Sequence, residues 1–190
     1  MDVGVGKAWQ LPSYYKYWYG IELIGLDIDG SEMKNNDTLD QKIVCDVVAG
    51  IPLADGQIDL IMVHSGRRAR AQHSSDNEHF LRNAFRILRP GGFLLAQFPG
   101  RFAPFAMANR LLPDRLAKHL LRVAMGDTDE LGFRAYYDRT NYSAFKHLCG
   151  SVGFDEIYHM PGYSKYKRSH NGSNQLLGHK APDASTVTRQ

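Results

Sequence analysis

The chain has 190 residues, which suits one domain with a substantial hydrophobic core. Its composition is 43% hydrophobic and 23% charged, as in ordinary globular proteins, and no apolar run is long enough to suggest a transmembrane helix. The net charge of +3 arises from residues 161–190, where five Lys and Arg face a single acid. The remaining chain has no basic excess, so we predict no nucleic-acid partner. No signal-peptide pattern opens the chain, and we expect a cytoplasmic location.

Short apolar segments that stop at glycine, proline or an acid recur along the chain. Residues 21–27, 42–46, 57–64 and 93–98 have this character. Such runs are typical of parallel strands that are covered on both faces.

Segments with helical periodicity alternate with these predicted strands. Ser75 and Glu78 have the spacing of a capping box, and the apolar stripe after them ends at Pro90. Thr140 is the predicted N-cap of a later helix that closes near Gly153. The alternation of strand and helix predicts a Rossmann-like α/β fold with a doubly wound, mostly parallel sheet.

The second half of the chain adds other elements to this pattern. Residues 102–125 predict a helical insertion, whose mixed apolar and basic side chains leave a peripheral membrane contact open. A strand from Phe154 and a partner at 163–168 predict a C-terminal antiparallel hairpin. We therefore assign residues 1–168 to one domain and predict a disordered tail over 169–190.

Ligands of an open parallel sheet bind beyond the carboxyl ends of its strands. Gly4 and Gly6 follow the predicted first strand, Asp27 ends the second, Asp46 ends the third and His64 ends the fourth. Glycine lets the backbone approach a ligand closely. A carboxylate at a strand end can accept hydrogen bonds from ribose hydroxyls, and a second acid can accept one from the exocyclic amine of a base. This edge therefore predicts an adenosine-containing ligand.

Four segments resemble motifs of the class I S-adenosylmethionine-dependent methyltransferases, and they occur in the family's order. Residues 2–6, Asp-Val-Gly-Val-Gly, look like its glycine motif, and residues 24–27 are similar to its second-strand motif. Residues 45–60 resemble its third-strand and fourth-strand pattern, and residues 86–93, which include Arg-Pro-Gly-Gly, are similar to its proline-glycine signature.

The resemblance implies a cofactor, a reaction and a set of contacts. The cofactor is S-adenosylmethionine, and the reaction is an in-line methyl transfer to a small-molecule or glycan-precursor acceptor; residues 133–140 are similar to a branch associated with surface glycans. His73 is the candidate base for an acceptor hydroxyl. No metal is predicted, and the oligomeric state stays open. The implied cofactor contacts are Asp2, Gly4, Gly6, Asp27, Ile28, Asp46, Val47 and His64.

Departures from the family pattern define the alternatives. Ala8 stands where a third glycine is usual, Pro12 interrupts the following helix, and only three residues precede Gly4. These features predict a shortened amino terminus with a weakened cofactor site, and thus an alternative function as a noncatalytic binding or scaffold protein. A nicotinamide-dependent oxidoreductase is disfavoured, because Trp9 occupies the third glycine position of its fingerprint.

Several remaining side chains are predicted to be structural. Cys45 and Cys149 lack metal-site spacing and are expected to be buried free thiols. Asp29 competes with Asp27 for the ribose, but a helix-capping role suits it better. The aromatic residues 14–19 could shape an acceptor pocket, although packing beneath the glycine motif is the favoured interpretation.

Overall fold

The computed structural model describes residues 1–9, 11–64, 74–99, 142–162 and 173–181. Strands and helices alternate along these ranges, as the sequence predicts. The predicted helical insertion at 102–125 and the predicted cap at Thr140 lie outside the described residues.

The described chain forms seven strands and four helices. The strands are β1 (Asp2–Val3), β2 (Ile24–Asp27), β3 (Gln41–Val44), β4 (Ile58–His64), β5 (Leu88–Pro99), β6 (Glu156–Gly162) and β7 (Ser173–His179). The helices are α1 (Tyr14–Tyr19), α2 (Gly30–Met33), α3 (Ser74–Ile87) and α4 (Tyr142–Val152).

All seven strands belong to one sheet, in the order β3-β2-β1-β4-β5-β7-β6. Strands β1 to β5 run parallel to one another, and β7 runs antiparallel to both β5 and β6. The order reverses at β1, with β2 on one side and β4 on the other. A point of reversal of this kind is where open α/β sheets hold their ligands. The prediction of a doubly wound, mostly parallel sheet with a C-terminal antiparallel pair is confirmed.

Strand β5 begins earlier than predicted. Leu88 already pairs with Ile58, and the pairing shifts register before Phe93 faces Leu60. Helix α3 correspondingly ends at Ile87, not at Pro90. The Pro-Gly-Gly segment at 90–92 therefore lies within β5, where the pairing with β4 is irregular, and does not form a turn outside the sheet.

Residues 173–179, which the sequence assigned to a disordered tail, form β7. This strand lies between β5 and β6 and pairs with both along its length. Backbone pairing on both edges orders a strand without the periodicity by which sequence reasoning recognises one. Gly178 also brings β7 close to Phe154, since an added Cβ would lie 3.1 Å from its ring. The prediction of a tail from residue 169 is therefore wrong for this strand, and the partner predicted at 163–168 lies outside the described residues.

Two apolar clusters pack against the sheet. The larger joins the central strands to α3 and α4, with Leu26, Ile61 and Leu81 fully buried. The smaller surrounds the segment after β1 and includes Val5, Trp9, Leu23, Met33, Leu39 and Met62. The chain that follows β1 is thus anchored by its own core. None of the described helices has the length and apolar character needed to cross a bilayer.

Lys180, just beyond β7, ties the C-terminal strand to the end of α3. Its Nζ donates to the carbonyl oxygens of Phe85 at 3.0 Å and Leu88 at 2.7 Å, and lies 4.6 Å from the centre of the Phe85 ring. The last carbonyls of a helix have no partner within the helix, so a cation there satisfies them and complements the helix dipole.

We predict that Lys180→Ala lowers the free energy of unfolding by about 1–3 kcal/mol, because two partly buried carbonyl groups lose a charged donor. Urea denaturation followed by circular dichroism measures this loss. Lys34→Ala is the matched control, since Lys34 is exposed, and its effect should stay within about 0.5 kcal/mol. Equal stability of the two variants would contradict the role assigned to Lys180.

Candidate cofactor site

The chain turns sharply after β1 in a segment that we call the glycine turn (residues 4–6). The Gly4 amide donates to the carbonyl of Leu26 at 2.7 Å, so the turn crosses the end of β2. Gly4 and Gly6 have φ angles of 73° and 55°. Such left-handed backbone is strained for most residues with a Cβ. The turn therefore depends on glycine at both positions.

Asp27, the last residue of β2, holds the glycine turn in place. Its Oδ2 accepts a hydrogen bond from the Gly6 amide at 3.1 Å, and its Oδ1 accepts one from the Asp29 amide at 3.0 Å. The side chain is only 4% exposed. Hydrogen bonds to a carboxylate are stronger than neutral ones, and each oxygen keeps a second lone pair. Asp27 can therefore position the turn and still accept hydrogen bonds from a ligand.

Asp29 acts as the N-cap of α2, as the sequence favours. Its Oδ1 accepts from the Ser31 amide at 2.9 Å and from the Ser31 hydroxyl at 2.6 Å. These bonds satisfy groups at the start of the helix. Of the two acids that competed for the ribose, Asp27 is the one joined to the glycine turn.

Asp46 lies beside Asp27 at the same edge of the sheet. Val44 pairs with Asp27, and the Cys45 amide donates to the Asp27 carbonyl at 3.1 Å. Asp46 follows directly and is exposed; its Oδ1 accepts from the Val48 amide at 2.9 Å. The structure thus brings both acids and the glycine turn to one edge.

Two apolar residues follow these acids. Ile28 is 40% exposed, and Val47 is half-buried. Asn83 on α3 donates its Nδ2 to the carbonyls of Val47 at 2.9 Å and Val48 at 3.3 Å. Helix α3 therefore holds the segment after β3, and the half-buried Val47 side chain packs in part against the larger apolar cluster.

The structure describes only one of the two candidate histidines. His64 is the final residue of β4 and pairs with Gln97 of β5, so its backbone lies at the carboxyl edge near the glycine turn. His73 lies outside the described residues, and its role as a base stays a prediction.

The surroundings of both cysteines disfavour the thiolate form. Cys45 and Cys149 are free thiols, as predicted, but only Cys149 is buried; Cys45 is partly exposed. Burial raises the pKa of Cys149 to about 12, and burial together with the neighbouring Asp46 raises the pKa of Cys45. A thiol is nucleophilic as thiolate, so the raised pKa disfavours reaction of both groups near neutral pH. In the part of the chain that the structure describes, no group of three or more His, Cys, Asp or Glu could hold a metal ion.

Helix α1 differs from the packing favoured by the sequence. Tyr17, Trp18 and Tyr19 are 78%, 74% and 71% exposed. Tyr15 packs against the smaller apolar cluster, but the other rings lie mainly on one another: Tyr15 stacks on Tyr19 with 6.0 Å between ring centres, and Tyr14 lies 4.7 Å from Trp18. Packing of these aromatic residues beneath the glycine turn is therefore wrong for most of the helix.

One buried polar residue had no predicted role. Asn36 is 2% exposed and lies in the connection between α2 and β3, where its side chain donates to the Gly6 carbonyl at 3.3 Å. Sequence reasoning missed it because it belongs to no family motif and follows an exposed asparagine, Asn35. Only the folded chain shows that it reaches the glycine turn.

Asp2 is a buried acid on β1, between Gly25 of β2 and Met62 of β4. Its side chain is 1% exposed, and neither carboxyl oxygen has a hydrogen-bond partner among the described residues. Burial raises its pKa to about 7. An ionised carboxylate in this position is costly unless a donor reaches it.

Comparison with known proteins identifies the class to which this fold and edge belong. The family model for a methyltransferase domain matches residues 1–96, about half of the chain. The chain therefore belongs to the class I S-adenosylmethionine-dependent methyltransferase domains, and the cofactor of the family is S-adenosylmethionine.

Solved structures share the fold at low sequence identity. An S-adenosylmethionine-dependent methyltransferase from Thermotoga maritima is 14% identical with a TM-score of 0.60, over 94% of this chain and 80% of that one. One from Archaeoglobus fulgidus is 12% identical with a TM-score of 0.59, over 94% and 84%. One from Methanosarcina mazei is 14% identical with a TM-score of 0.58, over 96% and 92%. A search of the curated proteins finds no match.

We predict that Asp2 makes stability depend on pH. Its pKa is higher in the folded state than the 3.8 of a free side chain, so the folded state binds the proton more tightly. This contribution is complete below about pH 4 and is lost as the pH rises to about 7, by as much as about 4 kcal/mol, since each pKa unit is worth about 1.4 kcal/mol. Asp2→Asn cannot ionise and lacks this loss.

Urea unfolding of both proteins at several pH values measures the effect. The stability of Asp2→Asn relative to wild type should rise between about pH 4 and 7 and then level off. Asp155→Asn, which removes an exposed carboxylate on another part of the sheet, should show no such rise. A difference between Asp2→Asn and wild type that is constant over this range would contradict the buried, protonated state of Asp2.

Proposed function

We propose that this protein transfers the methyl group of S-adenosylmethionine to a small-molecule or glycan-precursor acceptor. The observation that carries the proposal is the carboxylate of Asp27, which is bonded to the Gly6 amide at 3.1 Å and lies one strand away from Asp46. Family membership supports the reaction, while the nature of the acceptor rests on the similarity of residues 133–140 to a glycan-associated branch.

The residues at this edge fit the chemistry of the proposed cofactor. The remaining lone pairs of Asp27 suit two ribose hydroxyls, and the exposed carboxylate of Asp46 suits an exocyclic amine. Ile28 and Val47 offer apolar side chains to a base beside these acids. The unpartnered, buried oxygens of Asp2 would be satisfied by a bridging water or by an N–H group of the ligand.

The remaining task of the protein is to position the acceptor. The bound cofactor supplies a methyl group on a positively charged sulfur, which is already a strong electrophile. In-line displacement therefore depends mainly on the alignment of the acceptor and on removal of its proton. We propose His73 as the base for an acceptor hydroxyl, because the pKa of a histidine is near neutrality.

Isothermal titration with S-adenosylhomocysteine tests the cofactor site. Wild type is expected to bind, and Asp27→Asn should weaken binding by about tenfold or more, because an amide has one acceptor oxygen for the two backbone donors and the ribose. Asp59→Asn removes the same charge at an exposed position paired with Arg89 and should change the Kd by less than about twofold. Absence of binding to wild type at millimolar ligand would instead favour a noncatalytic scaffold protein.

Transfer of tritium from S-adenosylmethionine to a panel of hydroxylated acceptors tests the proposed base. His73→Ala should lower kcat by about 10²–10⁴-fold and leave the affinity for S-adenosylhomocysteine unchanged. His79→Ala is the matched control, because His79 is exposed on α3, and it should retain wild-type activity. Full activity of His73→Ala would remove His73 from the reaction.

A further inference from the structure

The backbone of Gly6 is held on both sides by side chains from outside the glycine turn. Its N–H donates to Asp27 at 3.1 Å, and its carbonyl accepts from Nδ2 of Asn36 at 3.3 Å. Asp27 is the last residue of β2, and Asn36 lies in the segment between α2 and β3. The two side chains thus come from either end of the connection between β2 and β3. Gly6 is therefore fixed in orientation as well as in position. The glycine turn depends on a residue that belongs to none of its sequence motifs.

We infer that Asn36 is a positioning residue, which orients the Gly6 peptide so that the turn is preformed for the cofactor. This inference rests on the proposed function, since it assigns the turn to cofactor binding. Asn36 is buried and acts through Gly6, so it is not a catalytic residue. Preorganisation of a binding loop raises affinity because less conformational freedom is lost when the ligand binds.

The hydrogen bonds of Asn36 define which way its amide faces. Oδ1 accepts from the Thr38 amide at 3.3 Å and from the Thr38 hydroxyl at 2.5 Å. A backbone N–H can only donate, so the atom facing it is the oxygen, and the NH₂ group faces the Gly6 carbonyl. The donor that reaches Gly6 is therefore fixed by Thr38.

The segment that carries Asn36 and Thr38 is itself braced. Lys16 of α1 donates to the Thr38 carbonyl at 2.7 Å and pairs with Asp40 at 2.8 Å. Asp40 also accepts from the Leu23 amide at 2.7 Å. The Leu23 amide and the Lys16 ammonium together lower the pKa of Asp40, which keeps this acid ionised near neutral pH. The segment that contains Asn36 is therefore held in place by hydrogen bonds and an ion pair that join it to α1 and to the start of β2.

The residues in and after the glycine turn make the hydrogen bond from Asn36 to Gly6 important. Ala8 replaces a third glycine, and the left-handed Gly6 is followed by the buried Trp9, whose Nε1 has no hydrogen-bond partner among the described residues. The turn also packs closely on β2, since a Cβ at Gly25 would lie 2.9 Å from Val5. A Cβ at Gly6 itself would meet only Glu32, at 3.8 Å, among the described residues. Packing therefore leaves room around the Gly6 peptide, and its two side-chain partners set its orientation.

The variant Asn36→Asp tests this role with almost no change of shape. Its carboxylate keeps the acceptor that faces Thr38 but sets a second oxygen against the Gly6 carbonyl. We expect the Kd of S-adenosylhomocysteine to be about tenfold higher than for wild type at pH 8. At pH 5.5 we expect the new carboxyl to be protonated, because it is buried and faces the Gly6 carbonyl; it can then donate to Gly6, so the ratio should fall to within about twofold.

Wild type and Asn36→Asp have the same charged groups around residue 36. Asp27 faces Gly6 from β2, and Glu32 lies on α2. Lys16 contacts Thr38 and pairs with Asp40. Each is present in wild type and variant, so the ratio of the two Kd values at each pH removes their own titration. The control Asn35→Asp adds the same charge at the neighbouring exposed residue and should stay within about twofold of wild type at both pH values.

A second readout does not require the cofactor. The chain has two tryptophans, so Trp18→Phe leaves Trp9 as the sole indole, buried next to the glycine turn. In this background Asn36→Asp should shift the emission of Trp9 to longer wavelength at pH 8 and restore it at pH 5.5, with Asn35→Asp unchanged. If Asn36→Asp fails to fold at pH 8, Thr38→Val removes the hydroxyl that orients Asn36 and should raise the Kd about threefold.

The outcomes separate this inference from the proposed function. If no protein binds S-adenosylhomocysteine, the proposed function fails, and the reversible shift of Trp9 emission still decides whether Asn36 orients the turn. Loss of affinity that is equal at both pH values would show a merely structural role. Wild-type affinity and Trp9 emission of folded Asn36→Asp at pH 8 would overturn the inference.

Discussion

The hydrogen bonds accepted by Asp27 join the parts of this edge of the sheet. One carboxylate links the glycine turn, through the Gly6 amide, to the start of α2, through the Asp29 amide. Because β2 and β3 are parallel, the same strand end places Asp46 beside it. The turn and both acids meet at one place, although they are up to 42 positions apart in the chain.

The same region contains features that favour binding over stability. Asp2 is buried without a partner among the described residues, and two side chains orient the Gly6 peptide. Natural proteins tolerate such local departures mainly at functional sites. Lys180 offers a contrast, since its contacts with the end of α3 satisfy carbonyl groups and serve the fold alone.

Much of the fold and of the edge could be predicted from the sequence, because parallel strands have short apolar runs with polar residues where they end. Asp27, Asp46 and the glycine turn lie together for that reason. Strand β7 was missed because pairing on both sides, and not periodicity, orders it. Asn36 was missed because its importance lies in a contact across 30 positions. The exposure of Trp18 could not be predicted either, since an aromatic run has the same composition whether its rings face the core or each other.

A crystal structure of the protein with S-adenosylhomocysteine would examine the adenosyl site directly. We expect both ribose hydroxyls within hydrogen-bond distance of Asp27, the base between Ile28 and Val47, and the Gly6 amide still bonded to the same carboxylate. A ligand bound elsewhere, or a ribose that contacts neither oxygen of Asp27, would contradict the assignment of this edge as the cofactor site.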